Sequence, residues 1–273
     1  MGDKQRADVI LFEQGLVPSR ERAKAAIMAG IVKANGKTVQ KAGDFFDVAS
    51  TEITLLSPEH PYVGRGGLKL EKAINTFDLD VAGATVLDIG ASTGGFTDCA
   101  LQSGAAHVYA LDVGYGQLAW KLRQDPRVTV IERTNIRTFS GESISELVDG
   151  LVIDVSFISL RLVIAHAVRF LRKGGWVVAL IKPQFEAGRE NVGKGGIVRD
   201  PDVHIQVIEN VFSSVQEIGL MPAGLIFSPI TGADGNIEYL SLFVLNDVLD
   251  KMYDNIDVGQ TVSEAFKVLK GLN

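Results

Sequence analysis

The spacing of apolar residues changes near residue 80, and that change divides the chain. From Val81 onward, short apolar runs alternate with stretches of helical spacing. The runs predict strands over Thr85–Ile89, 107–112, 128–132, 150–154, 175–181, 223–228 and Tyr239–Leu245. Helices fit between them, among them Gly95–Gln102 and 160–171. This alternation predicts a doubly wound α/β sheet with its ligand at the C-terminal ends of the strands. Asp234-Gly235 between the last two strands is a hairpin signal, which makes the final strand antiparallel and places it at the sheet edge.

Residues 1–60 follow another pattern. Ala7, Val9, Ile10 and Leu11 predict a short helix over 6–14, ending at Gly15. Ser19 sits where an N-cap belongs, RERAKAAIMA follows with strong helix formers, and Gly30 takes the position after the C-cap. Residues 31–34 and 37–39 flank Asn35-Gly36, a strong hairpin signal, and 52–56 reads as a further strand. Together these make a compact α+β module. The stretch SPEHPYVGRGG, rich in Pro and Gly, reads as a connector, with 61–67 as the linker between a module at 1–60 and a domain at 68–273. Leu68, Leu70, Ala73, Ile74 and Phe77 then share one helical face.

Composition narrows the function classes. Hydrophobic residues make up 46% of the 273 positions, enough for a sizeable core. Cys99 is the single cysteine, and no Cys/His set has metal spacing, so neither a disulfide nor a metal is expected. The most apolar region, 151–171, is broken by Asp154, Arg161, His166 and Arg169, and the opening MGDKQRADVILFEQ lacks a signal peptide's apolar core. The expected setting is cytoplasmic, with no membrane partner.

The net charge of −6 argues against nucleic acid until its distribution is considered. Between Ser19 and Lys41 stand Arg20, Arg22, Lys24, Lys33, Lys37 and Lys41 against Glu21 alone, six minus one, or +5. With Ser19, Arg20, Ala23, Gly30 and the run Ile31 to Lys37, this stretch resembles the S4 RNA-binding domain. The resemblance implies that the six basic residues serve an RNA backbone.

Asp88 to Asp98 reads DIGASTGGFTD and follows an apolar strand. Such a turn holds part of a nucleotide, but Ser92 replaces the glycine that lets a backbone approach a pyrophosphate, and no Walker lysine is present. Asp112 ends the next strand, where an acid accepts from ribose hydroxyls. NAD and S-adenosylmethionine both present such a ribose, so the turn alone leaves the two open.

Four charged residues carry more. Lys69 opens a helix, Asp154 and Lys182 end strands, and Glu238 precedes the last strand. In this order they resemble the Lys-Asp-Lys-Glu set of the FtsJ-like ribose 2′-O-methyltransferases. YVGRGGLKL, ALDVGYGQL, DVSFISL, KPQFEAG and GKGGIVRD extend the match over most of the chain. The chain resembles the hemolysin A (TlyA) family of ribosomal RNA 2′-O-methyltransferases. That implies a Rossmann-like sheet dependent on S-adenosylmethionine, with an antiparallel last strand, behind a small S4-like RNA-binding domain.

The resemblance also implies roles. Lys182 would be the base or alkoxide stabiliser, its pKa lowered by burial and by Lys69, with Asp154 and Glu238 orienting both lysines. Gly90, Ser92, Gly94 and Gly95 would contact the cofactor through their backbone, beside Asp88. Asp112 would take the ribose and Asn135 the adenine. Phe185 and the glycine-rich loop 188–196 would form a lid, and ribosomal RNA or a ribosomal subunit would be the substrate. Cys99 reads as buried packing, and His60, His107, His166 and His204 show no shared pattern. The rival readings are a non-catalytic RNA-binding or ribosome-assembly factor, a membrane-lytic protein and a dehydrogenase.

Overall fold

The computed structural model describes residues 4–17, 19–55, 60–232, 235–245 and 256–271. Its N-terminal module consists of β1 (Lys4–Arg6), α1 (Ala7–Glu13), α2 (Arg20–Met28), β2 (Val32–Ala34), β3 (Lys37–Thr38), β4 (Phe45–Asp47) and β5 (Ile53–Leu55). Ser19 caps α2, its Oγ accepting from the Arg22 N–H at 3.2 Å. Asn35 and Gly36 both take positive φ, 49° and 78°, as a two-residue hairpin turn demands. The strands run β3-β2-β5, and Ile10, Leu11, Ile27, Val32 and Ile53 fill a separate small core. The antiparallel pair β1–β4 was not foreseen, because KQR carries no apolar alternation.

The last residues of the connector are helical. Helix α3 spans Gly66–Phe77, so Gly66 and Gly67 belong to it. Gly67 is a close-packing position: a Cβ there would lie 2.2 Å from the Tyr62 ring. Positions 57–59 of the connector, Leu56 of the predicted strand and Asp234 of the predicted hairpin lie outside the described residues.

The remaining elements are β6 (Thr85–Ile89), α4 (Gly95–Gln102), β7 (His107–Leu111), α5 (Trp120–Arg123), β8 (Val128–Ile131), β9 (Val148–Ile153), α6 (Leu160–Ala167), β10 (Leu171–Ile181), α7 (Pro183–Glu186), α8 (Pro201–Gln216), β11 (Leu220–Phe227), β12 (Tyr239–Leu245) and α9 (Val258–Lys270). The sheet order is β11-β12-β10-β9-β6-β7-β8. Strands β6 to β10 pair in parallel, while β12 runs antiparallel to both β10 and β11. One face of the sheet packs on α6, α8 and α9, and the other on α3 and α4. Cys99 on α4 is buried there, and that burial pushes its thiol up to about 12.

Two expectations need correction. The final strand is antiparallel but not at the edge: β12 sits between β10 and β11. Tyr239, Leu240 and Phe243 are fully buried and need cover on both faces, whereas β11 is only half-buried. It also carries Pro222 at a register shift, which suits an edge. The helix foreseen over 160–171 stops at Ala167, a 310 turn follows over Val168–Phe170, and Leu171 already pairs with Val148 as strand. We expect Phe243→Ala to lower the unfolding free energy by about 3–5 kcal/mol in urea titration, as cavity creation at a central strand requires.

Candidate active site

The chain order across the sheet reverses where β6 lies between β9 and β7, and a crevice opens at such a point. The turn after β6 is pressed into it. Gly90 has φ +88°, and a Cβ there would meet the Asp154 carbonyl oxygen at 2.3 Å. Gly94, with φ +96°, precedes α4, and a Cβ on Gly95 would lie 2.9 Å from the Gly67 nitrogen. The turn therefore brings its backbone between the end of β9 and the start of α3.

Asp112 is braced by this turn. Its Oδ2 accepts from the Ser92 N–H at 2.8 Å and its Oδ1 from the Gly114 N–H at 2.6 Å. The Ser92 amide is thus committed to Asp112. Each carboxylate oxygen retains a lone pair, which is what a ribose diol needs. Behind them Asp88 is fully buried, with Thr97 Oγ1 donating to Oδ2 at 2.6 Å and Oδ1 left without a partner. Burial, with the nearby charges of Asp154 and Asp112, pushes its carboxyl up to about 7 despite the Thr97 hydrogen bond.

In front of the turn lies a cleft of about 700 Å³ whose walls include Lys69, Asp154, Lys182 and Glu238. The four form two ion pairs: Lys69 Nζ to Glu238 Oε2 at 2.6 Å and Lys182 Nζ to Asp154 Oδ1 at 2.6 Å. Lys182 also donates to Ser156 Oγ at 3.1 Å. Burial opposes charge on Lys69, but Glu238 and Asp154 outweigh it and raise its pKa. Burial likewise opposes charge on Asp154, and the two lysines overcome it and hold its carboxyl below the ordinary range. The four residues, 169 positions apart at their extremes, are one electrostatic unit.

Asn135, like Asp112, is not among the residues that line the cleft; it follows Thr134, whose N–H donates to the Asp112 carbonyl at 3.0 Å, and its own Oδ1 accepts from the Arg137 N–H at 3.0 Å, closing a turn. Phe185 and Val192, Gly195 and Gly196 of the glycine-rich loop do line it. So does Phe157. Phe157 is 90% exposed with φ +63° and lies 4.9 Å from the Phe185 ring. Glu186, raised by burial, ties the two loops together, accepting from Ser159 Oγ and the Leu160 N–H. The positive φ of Phe157 left no trace in residue type.

On the N-terminal module, Arg20, Lys24, Lys37 and Lys41 are exposed, Arg22 and Lys33 are half-buried, and Lys41 reaches the rim of the cleft. Arg6 had no motif to mark it. Asp8, fully buried, accepts from Arg6 Nε at 2.8 Å and from Arg20 Nη2 at 3.1 Å, holding two guanidinium groups on one surface.

Known proteins share this architecture. The FtsJ-like methyltransferase family matches residues 62–244, and the S4 domain matches residues 5–50. The chain belongs to the FtsJ-like methyltransferase family. Among its relatives, the Bacillus subtilis protein named "Putative rRNA methyltransferase YqxC" is 53% identical over 87% of this chain and 84% of its own length. The Mycobacterium tuberculosis 16S/23S rRNA (cytidine-2′-O)-methyltransferase TlyA is 44% identical over 88% and 89%. A solved structure described as "Putative hemolysin from Streptococcus thermophilus" superposes with a TM-score of 0.76 and 45% identity, covering 99% and 98% of the two chains. Among the described residues no helix is long and apolar enough to cross a membrane, and no group of His, Cys, Asp and Glu has the makings of a metal site.

In this methyltransferase Gly90 and Gly95 let the turn pack against the ends of β9 and α3, and Asp112 presents a fixed carboxylate of the kind a ribose diol would meet. Asp88 gives a pH test. Its folded pKa of about 7 lies above the unfolded value of 3.8, so the folded state binds more protons between them. Stability relative to Asp88→Asn should fall as pH rises from about 4 to about 7 and level off above, by on the order of 1–4 kcal/mol. Urea unfolding of both proteins at pH 5 and pH 8 checks it, and a pH-independent difference refutes the assignment.

Proposed function

We propose that the protein transfers a methyl group from S-adenosylmethionine to a ribose 2′-oxygen of ribosomal RNA. The observation that carries this reading is the cleft in which two lysines, each paired to a carboxylate, stand before the glycine turn. S-adenosylmethionine, when bound, supplies a methyl group that is already electrophilic. Asp112, braced by Ser92 and Gly114, would hold its ribose, and the backbone of Gly90, Gly94 and Gly95 would lie along it.

What this chain must add is alignment of the 2′-hydroxyl and a place for its proton. The Lys182 nitrogen has three positions beyond its side chain. Asp154 and Ser156 occupy two, at 2.6 and 3.1 Å, and aim the third. As an ammonium, Lys182 donates that position to the developing alkoxide. As an amine, it offers a lone pair to the hydroxyl proton, and Asp154 then balances the charge gained. Lys69 and Glu238 complete a set whose four charges sum to zero, so it adds no net charge to a site that must admit a polyanion.

The S4 domain supports RNA as the substrate class, and the names of the relatives support ribosomal RNA. Arg20, Arg22, Lys24, Lys33, Lys37 and Lys41, with Arg6 beside Arg20, would engage phosphates. A cytoplasmic setting follows from that substrate.

The test is transfer of labelled methyl from S-adenosylmethionine to ribosomal subunits isolated without the modification. Wild type is expected to label RNA, and Lys182→Ala to lower kcat by about 10²–10⁴-fold with cofactor affinity unchanged. Full turnover in Lys182→Ala would remove the lysine from the mechanism. Absence of label in RNA despite cofactor binding would remove ribosomal RNA as substrate.

A further inference from the structure

Arg65 stands at the seam between the two domains. It is the residue before α3, four positions ahead of Lys69 and so about one helical turn away. Its side chain leaves the methyltransferase domain and lies over the end of α2. A Cβ on Gly30, whose φ is +74°, would come within 2.5 Å of Arg65 Cδ and Nε. Its Nη2 reaches Gln40 Oε1 at 3.5 Å, the long limit of a hydrogen bond.

Nothing among the described residues neutralises this guanidinium. Glu238 attracts it, but that carboxylate already accepts from Lys69 at 2.6 Å. A half-buried guanidinium carries five N–H donors, and one long contact uses one of them. The charge of the cleft points the same way. Its lining holds Lys41, Arg65, Lys69 and Lys182 against Asp154 and Glu238, four minus two, or +2. The two ion pairs cancel internally, which leaves Arg65 as a charge at the seam that neither pair balances.

We propose that Arg65 and Gln40 clamp an RNA phosphate next to the ribose being methylated, so that the S4 domain furnishes part of the active site. This rests on the function proposed above. The guanidinium fork matches two phosphate oxygens, and the Gln40 amide, while its oxygen holds Arg65, turns N–H donors to the same anion. Gly30, which its φ of +74° already favours, leaves the path of Arg65 open. The carboxylate of the cofactor is the other anion of matching chemistry. Against it, the glycine turn meets this segment through Gly64 and Gly66, while the Arg65 side chain engages Gly30 and Gln40 of the S4 domain.

The test compares full-length wild type, Arg65→Ala, Arg65→Lys and Gln40→Ala. Methyl transfer to ribosomal RNA is followed at saturating cofactor, cofactor affinity by calorimetry, and RNA binding at several salt concentrations. Arg65→Ala is expected to raise the KM for RNA by about 10-fold or more, with cofactor Kd within about 2-fold. Its salt dependence should be shallower by about one ion. Arg65→Lys should restore the salt dependence but only part of the KM, because it lacks the planar fork. Gln40→Ala should raise KM with the salt dependence unchanged, and it decides the matter if Arg65→Ala fails to fold. An unaltered KM and salt dependence in these variants overturns the clamp alone. A weakened cofactor Kd with unaltered KM for RNA assigns Arg65 to the cofactor carboxylate and also overturns it. No transfer by wild type overturns the parent reading, and the clamp with it.

Discussion

The ion pair between Lys69 and Glu238 joins the start of α3 to the residue before β12, and much of the cleft depends on it. Two buried charges are tolerable only together, since removing either partner strands the other in a poorly solvated site. Keeping Glu238 against Lys69 requires β12 to begin at the mouth of the crevice. That condition is met because β12 lies beside β10. Lys182 at the end of β10 and Asp154 at the end of β9 then fall into the same space. The backbone is drawn tightly around the pair: a Cβ on Gly232 would lie 2.1 Å from Glu238 Oε1.

The same economy operates at smaller scale on the S4 domain, where a single buried carboxylate, Asp8, orders two arginines of different elements. At the glycine turn, Asp112 is held by the loop it serves. In each case a charged group expected to meet a ligand is first positioned by a neighbour. Long side chains held in this way lose less freedom when the ligand arrives.

Elements with strong period or strong local chemistry were readable in the sequence. The strands Thr85–Ile89 and Tyr239–Leu245 match their expected bounds, and Ser19, Gly30 and Asn35-Gly36 take the local conformations their types favour. What escaped depends on tertiary pairing. The insertion of β12 is decided by which strand can bury both faces, and the β1–β4 pair has no apolar pattern to announce it. For the site, residue type and order brought Lys69, Asp154, Lys182 and Glu238 together on paper. Phe157, Arg6, Arg65 and Asp8 stayed hidden, because their significance lies in a backbone angle, a seam and a buried contact.

The inserted strand also imposes an order on biosynthesis. As the chain leaves the ribosome from its N-terminus, β6 to β10 can pair with one another, but β10 keeps an open edge and β11 has no neighbour until residues 239–245 emerge. Lys69 meanwhile waits without Glu238. The newborn chain therefore carries Lys69 without Glu238 from residue 69 to residue 238, and an exposed β10 edge over the last part of that interval. Both are closed by the same few residues near the C-terminus, so the sheet and the cleft are completed in one late step.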